Sequence, residues 1–308
     1  MTENLFEHLG LLYHDTGEYL AGTTAFVREA LAVGNPVLVA VPGANLDLIR
    51  DALGDDGTAV AFEDMAVAGR NPGRIIPGML LDFADRHPGR RVAVIGEPIW
   101  PGRSLAEYPV CATHEALINT AFVGRDAAIL CPYDVRGLDA TRVADAHRTH
   151  PVLVERAERR MSTAYTDPVQ TAAAFNLPLP RPPASAVWLS YRDKFALAEI
   201  RRFVVERARA AGLSRDRVDD LAISVNELAT NTAEHTGDGG RVSIWTERDV
   251  VICQVEDTGH ITNPMAGRLP VPPTDIGGRG LLMVNQICDL VRVHTEPGRT
   301  TIRLHISG

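Results

Sequence analysis

The sequence predicts two layered domains, an α/β domain with a mostly parallel sheet followed by an α+β sandwich. Three observations predict this. In residues 1–150, short continuous apolar runs alternate with amphipathic stretches, the pattern of βαβ units whose sheet is covered on both faces. Prolines then crowd residues 167–184, as at a break between domains. Beyond them helices come first and strands after, the order of an α+β layer. A chain of 308 residues has room for two domains of about 100–200 residues each.

Element by element, the first strands are expected at Gly10-Leu-Leu-Tyr-His14, Pro36-Val-Leu-Val-Ala-Val41 and, more weakly, Thr58-Ala-Val-Ala-Phe62. Arg91-Val-Ala-Val-Ile95 and Ala127-Ala-Ile-Leu-Cys131 follow. Helical spacing of apolar residues occupies 18–33, 44–53, 74–86 and 108–121, and 151–161 reads as one more helix. Residues 161–183 form the expected spacer, with Pro168, Pro178, Pro180, Pro182 and Pro183 removing donors and disfavouring helix before them. Such a segment acts as a semi-rigid tether. The domains are thus 1–160 and 184–308. In the second, residues 191–211 repeat Phe195, Ile200, Phe203, Val204 and Ala208 at helical spacing, and Gly212 ends the helix. Ser214 or Asp216 caps the next, which runs to about residue 234. Residues 241–247 and 250–257 read as paired strands, 280–290 as a third helix and 301–306 as a last strand.

The composition narrows the function. A net charge of -8 disfavours a broad nucleic-acid surface, and no polybasic segment suits an anionic membrane. No apolar run approaches the ~18 residues of a membrane span. The first ten residues lack the basic and apolar regions of a signal peptide, so a cytoplasmic location is expected. Cys111, Cys131, Cys253 and Cys288 have no CxxC spacing and are expected as buried free thiols. Cys111-x-x-His114 with Cys131 lacks the second ligand pair of a metal site.

Three short patterns carry chemistry. In Asn226-Glu227-Leu-Ala-Thr-Asn231, Glu227 and Asn231 are four apart and share a helix face. A carboxylate beside an amide oxygen suits a Mg²⁺ site with a base next to it; a solvated helix face suits the same residues. In Val255-Glu256-Asp257-Thr258-Gly259 an acid ends an apolar strand. It can accept a purine amino group while Gly259 lets the ring approach the backbone; a plain Asp-Thr-Gly turn is the alternative. Gly277-Gly278-Arg279-Gly280-Leu281-Leu282 opens a helix, where amides and the helix dipole attract phosphate and Arg279 adds a charged donor.

In this order the three patterns resemble the ATP-binding boxes of the GHKL superfamily, within it most closely the anti-sigma-factor serine kinases. The resemblance includes Glu227-Leu-Ala-Thr-Asn-Thr-Ala-Glu-His235 and Pro297-Gly-Arg-Thr-Thr-Ile-Arg-Leu304 and covers 184–308. It implies a Bergerat-type sandwich that binds ATP and Mg²⁺. Asn231 would ligate Mg²⁺ and Glu227 would orient or deprotonate the attacking hydroxyl. Asp257 with Gly259 would hold adenine, Gly278, Arg279 and Gly280 the phosphates, and Thr300 would sit near the adenine end. Arg299 stands where such proteins often have a second glycine. The lid before Gly277 is short, with Pro264, Pro270, Pro272 and Pro273. The implied partners are an anti-sigma-factor antagonist of the STAS type, a sigma factor, or both, and homodimerisation is left open. A nucleotide-gated binding module without phosphotransfer is the alternative. A histidine kinase is disfavoured because His147 and His150 read as surface or cap residues beside a single helix.

The first half has neither a P-loop nor G-x-G-x-x-G. From His8-Leu-Gly-Leu-Leu-Tyr-His14 through Gly96-Glu97-Pro98 to Cys131-Pro-Tyr-Asp134 it resembles the MEDS sensory domain, which implies a RecA-like α/β fold without the phosphate loop and a small organic ligand. His14, Glu97, Trp100, Tyr133 and Asp134 fall at or just past strand ends, where parallel sheets bind ligands. They are the candidate sensing residues, with rim packing as the alternative for Trp100 and Tyr133.

Overall fold

The structure, a computed structural model, describes residues 5–271 and 278–308. The chain divides into two compact units, Met1–Phe175 and Asn176–Gly308. In the first, the elements run β1 (Phe6–Tyr13), α1 (Thr16–Ala32), β2 (Val37–Val41), α2 (Gly43–Leu53), β3 (Val60–Asp64), α3 (Met65–Ala68) and α4 (Leu81–Asp85). They continue through β4 (Val92–Gly96), α5 (Tyr108–Ala121), β5 (Ala127–Asp134), α6 (Ala140–Thr149), β6 (Val152–Glu155), β7 (Glu158–Met161) and α7 (Pro168–Ala174). Among the described residues the sheet has seven strands in the order β3-β2-β4-β5-β1-β6-β7. Every pairing is parallel except β6 with β7.

Side chains alternate between the two faces of a strand, and this sorts the unit. Leu9, Leu11 and Tyr13 of β1 join Ala128 and Leu130 of β5, all of β2's odd positions, and Tyr19, Val27, Leu46 and Ile49 of α1 and α2 in one core. His8, Gly10 and Leu12 lie opposite Ile129, Cys131 and Tyr133 and so project to the other face. Asp15 caps α1, accepting a bond from the Glu18 amide, and Asp139 caps α6 from Arg142, both as N-cap acids do.

The helix expected over 151–161 is instead the β6–β7 hairpin. Arg156 (φ 49°) and Ala157 (φ 66°) form its two-residue turn in the left-handed region. That geometry matches the strands' twist, but the residues lack the Asn-Gly signature that would announce it. His150 precedes this hairpin as the C-cap of α6 and is fully buried, so of the two expected roles, surface or cap, it takes the second, while His147 is half-buried. The segment expected as a spacer is also partly structured. Pro168 occupies the first turn of α7 behind an Asp167 cap, where its missing amide costs nothing. Phe175 then packs edge-on to Tyr108 of α5 at 6.2 Å.

The second unit holds β8 (Val187–Tyr191), α8 (Leu197–Ala210), α9 (Arg215–His235), β9 (Gly240–Glu247) and β10 (Val250–Asp257). α10 (Gly280–Ile287), β11 (Leu290–Glu296) and β12 (Arg299–Ser307) complete it. Its strands, in the order β11-β12-β10-β9-β8, pair antiparallel throughout. Ile200 and Val204 of α8, Leu221, Val225 and Leu228 of α9 and Val284 of α10 close one core with Val242, Cys253 and Leu304 of the sheet. Burying each such side chain contributes about 1.5–3 kcal/mol. β8 lies in a stretch for which no element was expected and meets the expected 191–211 helix only at Tyr191, and the helix itself begins at Leu197. Likewise α10 ends at Ile287 and β11 begins at Leu290. Neither strand alternates cleanly, and that hides both from a periodicity reading.

Candidate functional site

In the second unit three elements converge. α9 carries Glu227 and Asn231 one turn apart, β10 ends at Asp257 and α10 starts at Gly280. Antiparallel pairing sets Asp257 opposite Thr300 of β12 and Gly240 of β9. The Asp257 carboxylate is held from both sides: the Thr232 hydroxyl donates to Oδ2 at 2.7 Å and the Gly259 amide to Oδ1 at 2.8 Å. Thr300 donates its hydroxyl to the Gly259 carbonyl at 3.0 Å, and its Oγ1 lies 2.9 Å from that of Thr295. These bonds fix the turn after β10 and leave the remaining carboxylate lone pairs of Asp257 for a donor in the adjoining space.

That space is a cavity of about 480 Å³, within the range of small-molecule sites. Asn231, Asp257, Gly259, Gly278, Gly280 and Thr300 border it, with Leu228, Val255, Ile261, Met265, Leu281 and Ile302 as apolar wall. Glu227 and Arg279 stand outside the lining. Glu227 is nonetheless adjacent, because a Cβ on Gly280 would lie 3.0 Å from its Oε2 and 3.4 Å from Asn231 Nδ2. Glycine at 280 therefore lets the start of α10 approach the acid–amide face of α9. Gly278 has φ +77°, a conformation that costs other residues about 1–2 kcal/mol. Among the described residues α10 has no side-chain cap at its first-turn amides. Gly277, Pro272 and Pro273 lie outside the described residues. Arg299 opens β12 and reaches Glu256 at 3.5 Å.

Three contributors escape the sequence patterns. Thr232 shows only as a neighbour of Asn231. Tyr191 lies so close to Gly240 that a Cβ there would meet its hydroxyl at 2.8 Å, and burial pushes its phenol up to about 12. His260 borders the cavity from a chain position without a motif, beside His235, the last residue of the α9 pattern.

In the first unit the sensing candidates do not all meet. Glu97, just past β4, is buried. Asn45 of α2 donates to its Oε2 at 2.9 Å and Tyr19 of α1 at 3.1 Å. Burial pushes its carboxyl up to about 8 against those two bonds, and the Asp134 charge adds to the rise. Asp134 accepts the amides of Arg136 and Gly137 at 3.0 and 2.8 Å. Tyr133 projects to the opposite face, where its ring lies edge-on to His150 at 5.4 Å. Trp100 carries the Arg103 guanidinium at 4.0 Å, and His14 binds Glu18 at 3.0 Å. Glu97 and Asp134 thus form one polar group with Tyr13, Tyr19 and Asn45, all of which sequence reading missed except the two acids.

A parallel α/β unit with a buried acid at its strand ends, joined to an antiparallel unit with an acid, an amide and glycines around one cavity, is the build of a sensory domain fused to an ATPase domain. Residues 7–151 match the family model of the MEDS domain, the methanogen/methylotroph DcmR sensory domain. Residues 191–306 match the histidine kinase-like ATPase domain, and the chain carries these two domains in tandem. A crystal structure of the RsbU and RsbW domains of a Mycobacterium tuberculosis protein is similar at 20% identity and a TM-score of 0.32. The likeness covers 41% of this chain and 33% of that one, so the chain spans about a third of that structure's length. No curated protein matches the chain. Among the described residues no helix is long and apolar enough to cross a membrane.

Proposed function

We propose that the chain is a ligand-responsive regulator whose second unit, a GHKL module of the Bergerat type, binds Mg²⁺–ATP and phosphorylates a serine of a partner protein. The observation that carries this is Asp257: a carboxylate fixed by Thr232 and Gly259 on a cavity that also presents Asn231, Gly278 and Gly280. Bound ATP with Mg²⁺ would supply the transferable phosphoryl group and its charge neutralisation. Asp257 accepts the adenine amino group, the apolar wall holds the ring, and Thr300 keeps the Gly259 turn in place. Asn231 offers its amide oxygen to the cation, while Gly278, Arg279 and Gly280 give phosphate oxygens access to the start of α10. Glu227, beside Gly280, orients the incoming hydroxyl. The partner of this reading is a STAS-type anti-sigma-factor antagonist or a sigma factor, as the motif resemblance implies. The first unit, RecA-like without a phosphate loop, takes a small organic ligand at the Glu97–Asp134 end of its sheet.

Calorimetry of the full chain with Mg²⁺–ATP tests the site. Asp257→Asn is expected to weaken binding by about 10- to 100-fold, the scale of a hydrogen bond to a charged group, and Asn231→Ala to remove its Mg²⁺ dependence. Unchanged binding in both variants overturns the assignment. Glu227→Gln is expected to lower transfer by about 10²–10⁴-fold with affinity retained, as for a base acting in the transition state. A second reading, a nucleotide-gated binding module, is favoured by the position of Glu227 outside the cavity lining. Nucleotide-dependent partner binding with no transfer from the wild-type chain would select it.

A further inference from the structure

On the face of the first sheet away from α1 and α2, four ligating side chains meet. They are His8 of β1, Glu115 of α5, Cys131 of β5 and His150 at the end of α6, all buried, each with one ligand atom within 4.8 Å of every other. Glu115 Oε2 lies 3.4 Å from His8 Nε2 and 3.0 Å from His150 Nε2. Cys131 Sγ lies 3.4 Å from His8 Nε2. Tetrahedral coordination with zinc bond lengths gives ligand–ligand edges of about 3.3–3.8 Å, close to these separations.

The outward bonds of the histidines fix which nitrogen faces inward. His150 Nδ1 lies 2.9 Å from the Ala146 carbonyl, which only accepts, so Nδ1 carries the proton. The Asn119 amide nitrogen donates to the Thr149 carbonyl at 2.8 Å. Its oxygen therefore faces His8 Nδ1 at 3.2 Å, and that nitrogen is also the donor. Neutral rings held this way turn both Nε2 lone pairs toward a carboxylate. Neither Glu115 oxygen nor His150 Nε2 completes a properly directed hydrogen bond. Three acceptors buried face to face with only the weak donor of the Cys131 thiol beside them are costly, and a cation between them resolves the conflict. Imidazoles anchored through their second nitrogen to a carbonyl or amide are the usual support of metal-bound histidine. Gly10 makes the room, since a Cβ there would lie 3.1 Å from the His150 ring.

We propose that the first unit holds a structural zinc ion coordinated by His8, Glu115, Cys131 and His150. Two neutral imidazoles, one carboxylate and one thiolate around Zn²⁺ form a group of zero net charge, as a closed and fully buried site requires. The Cys131 thiol gives up its proton to solvent as the Zn–S bond forms. The ion ties β1, β5, α5 and the end of α6 together beneath the strand ends. Cys111 and His114, the pair whose spacing suggested a metal motif, take no part; the ligands come from four separate elements.

The test is the metal content of the full chain purified without chelator, together with the absorption spectrum of chain produced in cobalt-supplemented medium. About one zinc per chain is expected, and the cobalt form should show tetrahedral d–d bands with a thiolate-to-metal charge-transfer band. Cys131→Ser should lose the charge-transfer band and most of the metal, whereas Cys111→Ser keeps both. Asn119→Ala should weaken retention by about 10- to 100-fold against a competing chelator, the usual effect of removing a histidine's outer partner. Where a variant does not fold, the wild-type spectrum decides. Metal-free wild type that takes up neither ion on refolding, or a cobalt spectrum without thiolate character, overturns the proposal and leaves the cluster a proton-shared polar network.

Discussion

Glu97→Gln isolates the buried acid of the sensory unit. The wild-type carboxyl has a folded value of about 8 against 4.5 in the unfolded chain, so the folded state binds its proton more tightly. Stability from this group is complete below the unfolded value, declines as pH rises above it, and is lost once pH passes the folded value. Between the two the slope is about -1.4 kcal/mol per pH unit, or roughly 3 kcal/mol from the unfolded value to pH 7. Glutamine keeps an acceptor for Tyr19 and Asn45 but does not titrate, so that slope vanishes. Urea unfolding at intervals between pH 5 and pH 8 measures it. Replacing Trp188 and Trp245 by Phe leaves Trp100, the remaining tryptophan of the three, as a reporter of the first unit. The variant should gain on wild type steadily as pH rises, with the two converging toward pH 5. Parallel stability profiles would refute a protonated Glu97 and with it the account of burial overriding two donors.

Other substitutions read individual contacts. Thr232→Val keeps the side-chain shape but removes the donor to Asp257, and ATP affinity by calorimetry should fall about 5- to 10-fold, the net scale of one hydrogen bond. Gly280→Ala places a methyl against Glu227 and Asn231. Melting should shift little, since alanine suits a helix better than glycine by about 1 kcal/mol, while phosphate transfer drops. Ala157→Gly relieves a left-handed residue in the β6–β7 turn and should stabilise the first unit by about 1 kcal/mol, measured by urea unfolding in the Trp100 background.

Legibility in the sequence followed the physics of each signal. The central strands β2, β4 and β5 are buried on both faces and appear as unbroken apolar runs. α5 matches its expected span because its boundaries carry a proline at the start and a loss of pattern at the end. The β6–β7 hairpin was opaque because β7 is Glu-Arg-Arg-Met, exposed throughout, and nothing apolar alternates. Pro168 read as a breaker because proline signals both a helix start and a helix stop, and only the Asp167 cap distinguishes them. Within the candidate site, Asn231, Asp257, Gly259, Gly278 and Gly280 were legible because each sits in a short local pattern, and all of them line the same cavity. Thr232, Tyr191 and the Asn45–Tyr19 clasp on Glu97 were not, since they act through contacts between distant segments. The same holds for the His8–Glu115–Cys131–His150 cluster, whose spacing spans most of the first unit.

The side chain of Asn176 imitates a strand. It donates to the Thr295 carbonyl at 2.7 Å and accepts from the Thr295 amide at 3.0 Å, on β11, an outermost strand of its sheet. The Arg303 guanidinium similarly donates to the Pro180 carbonyl. A fragment of the ATPase unit begun at residue 184, where the prolines end, would discard both partners. It would present an open backbone edge to its own copies, the usual start of edge-to-edge association. A fragment begun at residue 176 keeps that edge closed. Light scattering of the two fragments at matched concentration should find oligomers growing in the shorter and a monodisperse solution of the longer.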